Sequence, residues 1–243
     1  MSALDTANGE RIGHRADERF PFCSTFKLIL SAAILARSTQ DAGLMQRRIR
    51  YVPSDVVSSS PVTTRHVAEG MTVGELCAAT VQVSDNTAAN LLIKVLGGPA
   101  EVTAYARSIG NREFHLDRME IELNTAIPGD TRDTATPASM AQSLHTLVLG
   151  ESLPQAQRTQ LTAWLRANQI GAQRIRAGVP ASWQVADKTG TGEHGTANDV
   201  AVLWPPARKP IVLAVYYTQG SGDEKSRSGV IAAAARIVVG AFG

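Results

Sequence analysis

The sequence is poor in the side chains that build metal centres and disulfide frameworks. It has two cysteines, Cys23 and Cys77, and its five histidines lie far apart, with no H-x-x-x-H pair. Two cysteines allow at most one disulfide and match no zinc-binding spacing. Zinc sites are built from closely spaced histidine and cysteine ligands, which this chain lacks. We therefore expect no metal and no cofactor.

An excess of one charge and long apolar runs are also missing. The formal net charge is +2, and lysine and arginine are scattered without a basic run. Aromatic residues make up only 5% of the chain, so nothing indicates a nucleic-acid surface. The longest apolar stretches, 28–36 and 229–243, are too short to span a bilayer or are interrupted by Arg236. We expect a soluble protein that binds a small molecule, without a nucleic-acid partner or membrane contact.

The chain does contain enough apolar residues for a sizeable core, 44% of 243. Runs of β-branched and aromatic residues between Gly- and Pro-rich turns predict antiparallel strands at 11–16, 182–190, 198–206 and 210–219. Apolar residues three and four apart predict helices at 25–38, 72–83, 86–98, 100–110, 136–150, 154–168 and 229–242. The predicted fold class is α+β: an antiparallel sheet flanked by helices, with an inserted all-helical domain.

Four short motifs stand out against this background. They are, in chain order, Ser24-Thr25-Phe26-Lys27, Ser84-Asp85-Asn86, Arg118-Met119-Glu120-Ile121-Glu122-Leu123-Asn124 and Lys188-Thr189-Gly190. Each alone has an ordinary structural interpretation, such as a helix cap for the two serine motifs or a solvated loop for the acidic one. Each tripeptide has a chance probability on the order of a few per cent, and all must also occur in this order. Their combination therefore indicates a functional site.

The set resembles the signature of the class A serine β-lactamases. The resemblance extends over nearly the whole chain, including the segments 69–77 (EGMTVGELC) and 187–192 (DKTGTG). It implies hydrolysis of the β-lactam ring of penicillins and cephalosporins, and hence antibiotic resistance. It also implies a sheet domain formed by 1–19 and 170–243, and since nothing in the sequence suggests an oligomer, we expect a monomer. A helical domain, 20–169, would include an omega loop at about 115–134, and the active site would lie between the domains.

Helix geometry supports Ser24 as the nucleophile. If Ser24 opens a helix, Lys27 lies about one turn along on nearly the same face, where its amine reaches the hydroxyl. The helix N-terminus favours developing negative charge, and the Ser24 N–H is placed to form half of an oxyanion hole. The resemblance implies that the Thr191 N–H is the other half, with Gly190 keeping the strand open to substrate. Lys27 and Glu120 are both candidates for the base that activates the serine.

The resemblance also assigns the S-D-N and K-T-G residues. Ser84 would pass a proton to the departing ring nitrogen, and Asn86 would hydrogen-bond the substrate's side-chain amide. Asp85 would have a supporting role within the protein. Lys188 and Thr189 would meet the substrate carboxylate, because an ammonium and a hydroxyl on one strand suit an anion.

The segment 116–137 distinguishes a hydrolase from a peptidase. Glu120 and Asn124 match the pair that holds and activates the deacylating water in class A enzymes. Arg118 and Asp133 match the ion pair that closes the omega loop. Penicillin-binding D-alanyl-D-alanine peptidases lack such a positioned base and become trapped as acyl-enzymes. That peptidase activity, or a catalytically silent relative, remains the alternative.

Some positions depart from the family pattern. Ala197 stands where many members have an arginine that binds the substrate carboxylate. Arg174 matches an arginine that members lacking the first one often carry, and Arg227 is a second candidate. Ser59 occupies the position of an aromatic residue that usually flanks the cleft, which predicts a more open wall.

The two cysteines also lack the partners that the resemblance associates with them. Gly192 stands where carbapenem-hydrolysing relatives have the cysteine that pairs with the equivalent of Cys23. Ser31 occupies the partner position of Cys77. We predict two free, buried thiols, which removes structural support for a carbapenemase.

The amino terminus is the least typical part. Asp5, Glu10, Arg11 and Arg15 interrupt any apolar segment after Met1, so no signal peptide is predicted. The resemblance implies a periplasmic or secreted protein with a further helix and most of a strand ahead of residues 4–14. The amino terminus is therefore expected to be shortened.

Overall fold

A computed structural model describes residues 1–220 and 225–242. Its strands are β1 (Ser2–Asp5), β2 (Arg11–Gly13), β3 (Phe20–Pro21), β4 (Arg48–Ile49), β5 (Met71–Thr72), β6 (Thr134–Ala135), β7 (Gln184–Thr191), β8 (Ala197–Trp204) and β9 (Ile211–Tyr217). Its α-helices are α1 (Phe26–Ser38), α2 (Val73–Gln82), α3 (Asn86–Leu96), α4 (Pro99–Ser108), α5 (Pro137–Val148), α6 (Gln155–Arg166) and α7 (Ser228–Phe242). Residues 221–224 and Gly243, which belong to the predicted sheet domain, lie outside the described residues.

The main sheet has five antiparallel strands in the order β2-β1-β9-β8-β7. The strand that carries Lys188-Thr189-Gly190 is therefore at one edge of this sheet. Two short pairs, β3 with β6 and β4 with β5, lie outside it. The pairing of β3 with β6 joins the segment before Ser24 to the end of the loop that contains Glu120.

Apolar side chains cover both faces of the sheet. On one face, α7 packs through Ile231, Ala235 and Val238 against a cluster that includes Leu203 and Leu213. On the other face lies a larger cluster formed with the remaining helices. At its centre is α1, whose residues 26–35 are all buried. Apart from Lys27 and Ser31 these residues are apolar, and a helix that is apolar nearly all round lies inside a core. This position fixes the nucleophile motif at the start of the helix.

Local capping explains where the helices near the motifs begin. Thr72 and Glu75 form a reciprocal capping box at the start of α2. Asp85 caps α3 by accepting the Ala88 N–H at 2.9 Å, so the cap interpretation of S-D-N holds for its aspartate. Ser24 does not cap α1, which begins at Phe26 without a side-chain cap. The cap interpretation of Ser24 is wrong.

The α+β fold class and the antiparallel sheet are confirmed. Each of the seven predicted helices is present with bounds within two residues of the prediction. The first predicted strand, 11–16, was too long, because β2 ends at Gly13 and Arg15 has a φ of +52°. Its partner across the Gly9 turn is β1, which pairs Ser2 with Gly13.

Candidate active site

The predicted serine and lysine meet where β3 leads into α1. Ser24 lies in a short 3-10 turn, Cys23–Thr25. Cys23 has a φ of +46°, in the left-handed region that is uncommon for residues other than glycine. Thr25 Oγ1 closes the turn by donating to the Phe22 carbonyl oxygen at 2.8 Å. The first turn of α1 then places Lys27 Nζ 3.0 Å from Ser24 Oγ.

Lys27 is fully buried and surrounded by oxygen atoms. Besides Ser24 Oγ, its Nζ lies 2.8 Å from the Ser84 carbonyl oxygen, 2.6 Å from Asn86 Oδ1 and 2.9 Å from Glu120 Oε1. Burial lowers the pKa of Lys27, and the Glu120 carboxylate opposes this shift. A lowered pKa suits an amine that must exchange protons near neutral pH.

Ser84 lies between two lysines. Its Oγ is 3.2 Å from Lys27 Nζ and 3.1 Å from Lys188 Nζ. Burial, together with the nearby Lys27 charge, holds the pKa of Lys188 well below its ordinary value. A hydroxyl that contacts two amines can accept a proton from one side and donate one on the other.

Glu120 reaches the nucleophile from the loop that follows α4. Its Oε1 accepts the Ser24 hydroxyl at 3.3 Å, and its Oε2 accepts Asn124 Nδ2 at 2.5 Å. Asn90 on α3 fixes the Glu120 backbone by donating to its carbonyl oxygen at 2.8 Å and accepting its N–H at 2.9 Å. Asn90 belongs to none of the four motifs. Its position four residues after Asn86, on the same helix face, was the available signal.

The base of this loop is closed by the predicted ion pair. Arg118 Nε donates to Asp133 Oδ2 at 2.6 Å, and Arg118 Nη1 donates to Thr125 Oγ1 at 3.0 Å. The buried Asp133 carboxylate also accepts the N–H groups of Asp117 and Arg118. The Phe22 N–H donates to the Asp133 carbonyl oxygen at 3.1 Å. The loop and the nucleophile turn are thus joined.

The edge strand β7 passes unusually close to the nucleophile turn. A Cβ at Gly190 would lie 2.8 Å from the Phe22 carbonyl oxygen and 3.2 Å from the Ser24 nitrogen. Real Cβ atoms do not sit 2.8 Å from a backbone atom. Glycine at this position therefore allows the strand and the turn to come together, with Thr191 next along the strand.

Residue 192 faces Cys23, as the resemblance implied. A Cβ at Gly192 would lie 2.6 Å from Cys23 Sγ and 2.7 Å from the Asn124 carbonyl oxygen. Both Cys23 and Cys77 are free and buried, which confirms the prediction of two free thiols. Burial raises the pKa of each thiol above its ordinary value.

The two arginines proposed for the substrate carboxylate have different surroundings. Arg174 is buried beside β7, where Nη1 donates to the carbonyl oxygens of Gly190 and Asn198 at 2.6 and 2.7 Å. Its Nη2 donates to Thr191 Oγ1 at 2.6 Å. Arg174 therefore contacts the K-T-G strand directly. Arg227 is exposed and immediately precedes α7.

The S-D-N segment supports the opposite wall. Asn86 Nδ2 donates to the Ser58 carbonyl oxygen at 3.0 Å, and the Asn86 N–H donates to the Ser59 carbonyl oxygen at 3.1 Å. The fully buried Asp85 accepts the Thr63 hydroxyl and N–H at 2.8 and 3.0 Å. Asp85 thus holds the loop on which Ser59 lies. Thr189, on the facing strand, is also buried.

Two further features concern ions and membranes. Within residues 1–220 and 225–242, no group of three or more His, Cys, Asp and Glu side chains is placed to hold a metal ion. In the same part of the chain, no helix is both long enough and apolar enough to cross a membrane.

Comparison with known proteins identifies the family of this chain. The model of the beta-lactamase enzyme family matches residues 1–242. The chain belongs to this family. The resemblance to this family that the four motifs indicated is thereby confirmed.

Individual β-lactamases are similar to this one over almost its entire length. The carbapenem-hydrolyzing beta-lactamase KPC of Klebsiella oxytoca is 55% identical over 99% of this chain and 83% of its own. Beta-lactamase CTX-M-25 of Escherichia coli is 51% identical over 100% of this chain and 83% of its own. The solved β-lactamase of Desulfarculus baarsii has a TM-score of 0.99 at 58% identity, covering 100% of this chain and 90% of that one. This protein is a class A serine β-lactamase, a hydrolase that opens β-lactam rings.

Proposed function

We propose that this β-lactamase hydrolyses penicillins and cephalosporins through an ester on Ser24, which water activated by Glu120 then cleaves. One observation carries the assignment. Ser24 Oγ lies 3.0 Å from Lys27 Nζ and 3.3 Å from Glu120 Oε1. The hydroxyl therefore has two candidate bases within reach, and Ser24 is only 9% exposed.

In the acylation step, Ser24 Oγ attacks the carbonyl carbon of the ring, and its proton passes to Glu120 or Lys27. The N–H groups of Ser24 and Thr191 stabilise the oxyanion of the tetrahedral intermediate. The ring C–N bond then breaks, and the nitrogen takes a proton from Ser84 Oγ. The contacts of Lys27 Nζ with Ser24, Glu120 and Ser84 support this transfer, since Lys27 can pass the proton taken from Ser24 on to Ser84 and leave Glu120 unprotonated.

In the deacylation step, a water molecule hydrogen-bonds to Glu120 and to Asn124 Oδ1, a buried atom without a partner among the described residues. Glu120 removes a proton from the water as its oxygen attacks the ester carbonyl carbon. The ester C–O bond breaks, and Glu120 returns the proton to Ser24 Oγ, which its Oε1 contacts. The hydrogen bond from Asn124 Nδ2 to Glu120 Oε2 supports this role, because it holds both side chains in one orientation. The Arg118–Asp133 ion pair would keep the loop closed over the ester.

Substrate binding uses the positive charge of the cleft. Lys188 and Thr189 would bind the substrate carboxylate. Arg174 would act on the same anion through its hydrogen bond to Thr191, and Arg227 would add a positive charge at the mouth of the cleft. Those donors lie on the sheet side of the site.

On the helical side, Asn86 would donate to the substrate's side-chain amide. Ser59, with a side chain too small to cover the substrate, would leave this wall open.

The catalytic residues come from 20–169 and the carboxylate-binding residues from 170–243, which supports the division into a helical and a sheet domain. We also propose a monomeric enzyme that acts in the periplasm or outside the cell. With Gly192 opposite Cys23, the disulfide that the resemblance associates with carbapenem hydrolysis cannot form.

Steady-state hydrolysis of a chromogenic cephalosporin tests the assignment of Ser24. The Ser24→Ala variant should lose activity by roughly 10⁴-fold or more, because the covalent route is closed. Ser31→Ala is the matched control: Ser31 lies two turns along α1, and its buried hydroxyl has no hydrogen-bond partner among the described residues. It should retain wild-type activity. If Ser24→Ala keeps more than about a tenth of the wild-type rate, Ser24 is not the nucleophile. A stoichiometric burst without turnover in the wild type would favour the peptidase.

A further inference from the structure

Asn198 connects the sheet to the nucleophile turn. It lies on β8 directly opposite Gly190 of β7 and is fully buried. Its Nδ2 donates to two consecutive carbonyl oxygens, those of Pro21 at 2.8 Å and Phe22 at 3.1 Å. Its Oδ1 accepts the Tyr217 N–H at 3.4 Å. The side-chain amide is therefore held at both ends, and it belongs to none of the four motifs.

These contacts lie next to a backbone that requires support. Cys23, between Phe22 and Ser24, has a φ of +46°. A residue other than glycine keeps such a conformation only where its surroundings impose it. The hydrogen bonds from Asn198 fix the two carbonyl groups immediately before Cys23. They therefore help to set the direction in which the chain enters Ser24.

The position of this turn relative to β7 determines the geometry of the oxyanion hole. The two proposed donors belong to different elements, Ser24 to the turn and Thr191 to the strand. A pair of donors stabilises an oxyanion only when both are aimed at the same point. Gly190 leaves room for the two elements to approach each other, but it makes no side-chain contact that would hold them together. The hydrogen bonds of Asn198 hold them together. Asn198 lies on β8, which pairs with β7 along the whole length of β7.

We propose that Asn198 is a positioning residue for β-lactam hydrolysis. Its amide sets the separation between the N–H groups of Ser24 and Thr191, and so stabilises the tetrahedral states of acylation and deacylation. Arg174, which donates to the carbonyl oxygens of Gly190 and Asn198, holds the strand pair at the same register position. This inference rests on the proposed role of Ser24.

The test compares catalysis with the binding of a tetrahedral mimic. A phenylboronic acid adds to the nucleophilic serine and places a boron-bound oxygen in the oxyanion hole. In Asn198→Ala, kcat/KM for benzylpenicillin and the affinity for phenylboronic acid should both fall by a similar factor, about 10- to 100-fold, since small misplacements have effects of this size. Asn198→Asp keeps the shape of the side chain but replaces the donor by an oxygen, and it should show the same parallel loss.

Asn111→Ala is the matched control. Asn111 is also buried and makes comparable bonds, donating to Ser143 Oγ at 2.9 Å and accepting the N–H groups of Glu113 and Phe114. This variant should lower the unfolding temperature while leaving kcat/KM and boronate affinity unchanged below it. If both Asn198 variants lower the unfolding temperature but keep boronate affinity and kcat/KM within threefold of wild type, Asn198 is only structural and the inference is wrong. Failure of the Ser24 assignment looks different, because the wild type itself would then form no boronate adduct on Ser24.

Discussion

Lys27 Nζ and Glu120 Oε1 lie 2.9 Å apart, and neither side chain is accessible to solvent. Each charge is taken out of water and depends on the other for compensation. Replacing a buried pair by neutral groups can leave stability unchanged, whereas removing one partner leaves an uncompensated charge. The same two groups are the candidate bases for Ser24, so this part of the active site couples catalysis to folding stability.

A double-mutant cycle on this pair should show strong coupling. Lys27→Met should lower the free energy of unfolding by about 3–5 kcal/mol, because it leaves Glu120 buried without its cation. Adding Glu120→Gln should restore part of that loss, since the remaining side chain is neutral. Urea unfolding of the wild type, both single variants and the double variant gives the four values needed. Additive losses would show that the two side chains do not depend on each other.

Lys188 should destabilise the folded protein while serving substrate binding. Burial and the Lys27 charge lower its pKa, so below that pKa the folded state carries an unfavourable buried charge. Lys188→Met should therefore raise the unfolding temperature at pH 6, while kcat/KM falls about 10- to 100-fold through loss of a charged hydrogen bond to the substrate carboxylate.

The stability difference between Lys188→Met and the wild type should become smaller as the pH rises. Between the lowered pKa and the ordinary value of 10.5, the unfolded wild type binds one more proton at this site than the folded form does. Wild-type stability then rises with pH relative to the variant. Unfolding temperatures of both proteins measured from pH 6 to pH 10 should converge. A difference that stays constant over this range would mean that Lys188 does not titrate as the structure implies.

Gly192→Ala should impair deacylation. The new Cβ would lie 2.7 Å from the Asn124 carbonyl oxygen and 2.6 Å from Cys23 Sγ, so the loop carrying Asn124 must move away. We expect kcat for benzylpenicillin to fall by roughly tenfold, because the water-binding side chains would be displaced. Gly240→Ala on α7, where a Cβ meets nothing within 4 Å, should leave kcat unchanged. Equal kcat values for the two alanine variants would show that the loop tolerates the displacement.

The sequence was sufficient for those parts of the structure that local patterns encode. The helices follow from apolar spacing and capping residues, and Ser24 and Lys27 meet because one helical turn separates them. Strand ends were less accurate, because a single left-handed residue such as Arg15 ends a strand without any change in composition. Such conformations depend on neighbouring segments of the fold.

The residues that sequence reasoning missed act across long separations in the chain. Asn90 fixes the backbone of Glu120, thirty residues later, and Asn198 binds the carbonyl groups of Pro21 and Phe22. Buried asparagines of this kind have no periodicity or motif of their own. The contacts of Arg174 with Gly190 and Thr191 likewise depend on which segments the fold brings together.

Mass spectrometry of the Glu120→Asn variant mixed with benzylpenicillin tests the central claim most directly. General-base assistance contributes roughly 10²- to 10⁴-fold, so without this carboxylate deacylation should become the slow step. Glu122→Asn, which changes an exposed glutamate on the same loop, is the control and should turn over like the wild type. We predict a penicilloyl adduct on the Glu120→Asn protein, mapping to the peptide that contains Ser24, and almost none on the wild type or the control at steady state. Turnover by Glu120→Asn at the wild-type rate with no adduct, or an adduct on a peptide without Ser24, would contradict the account.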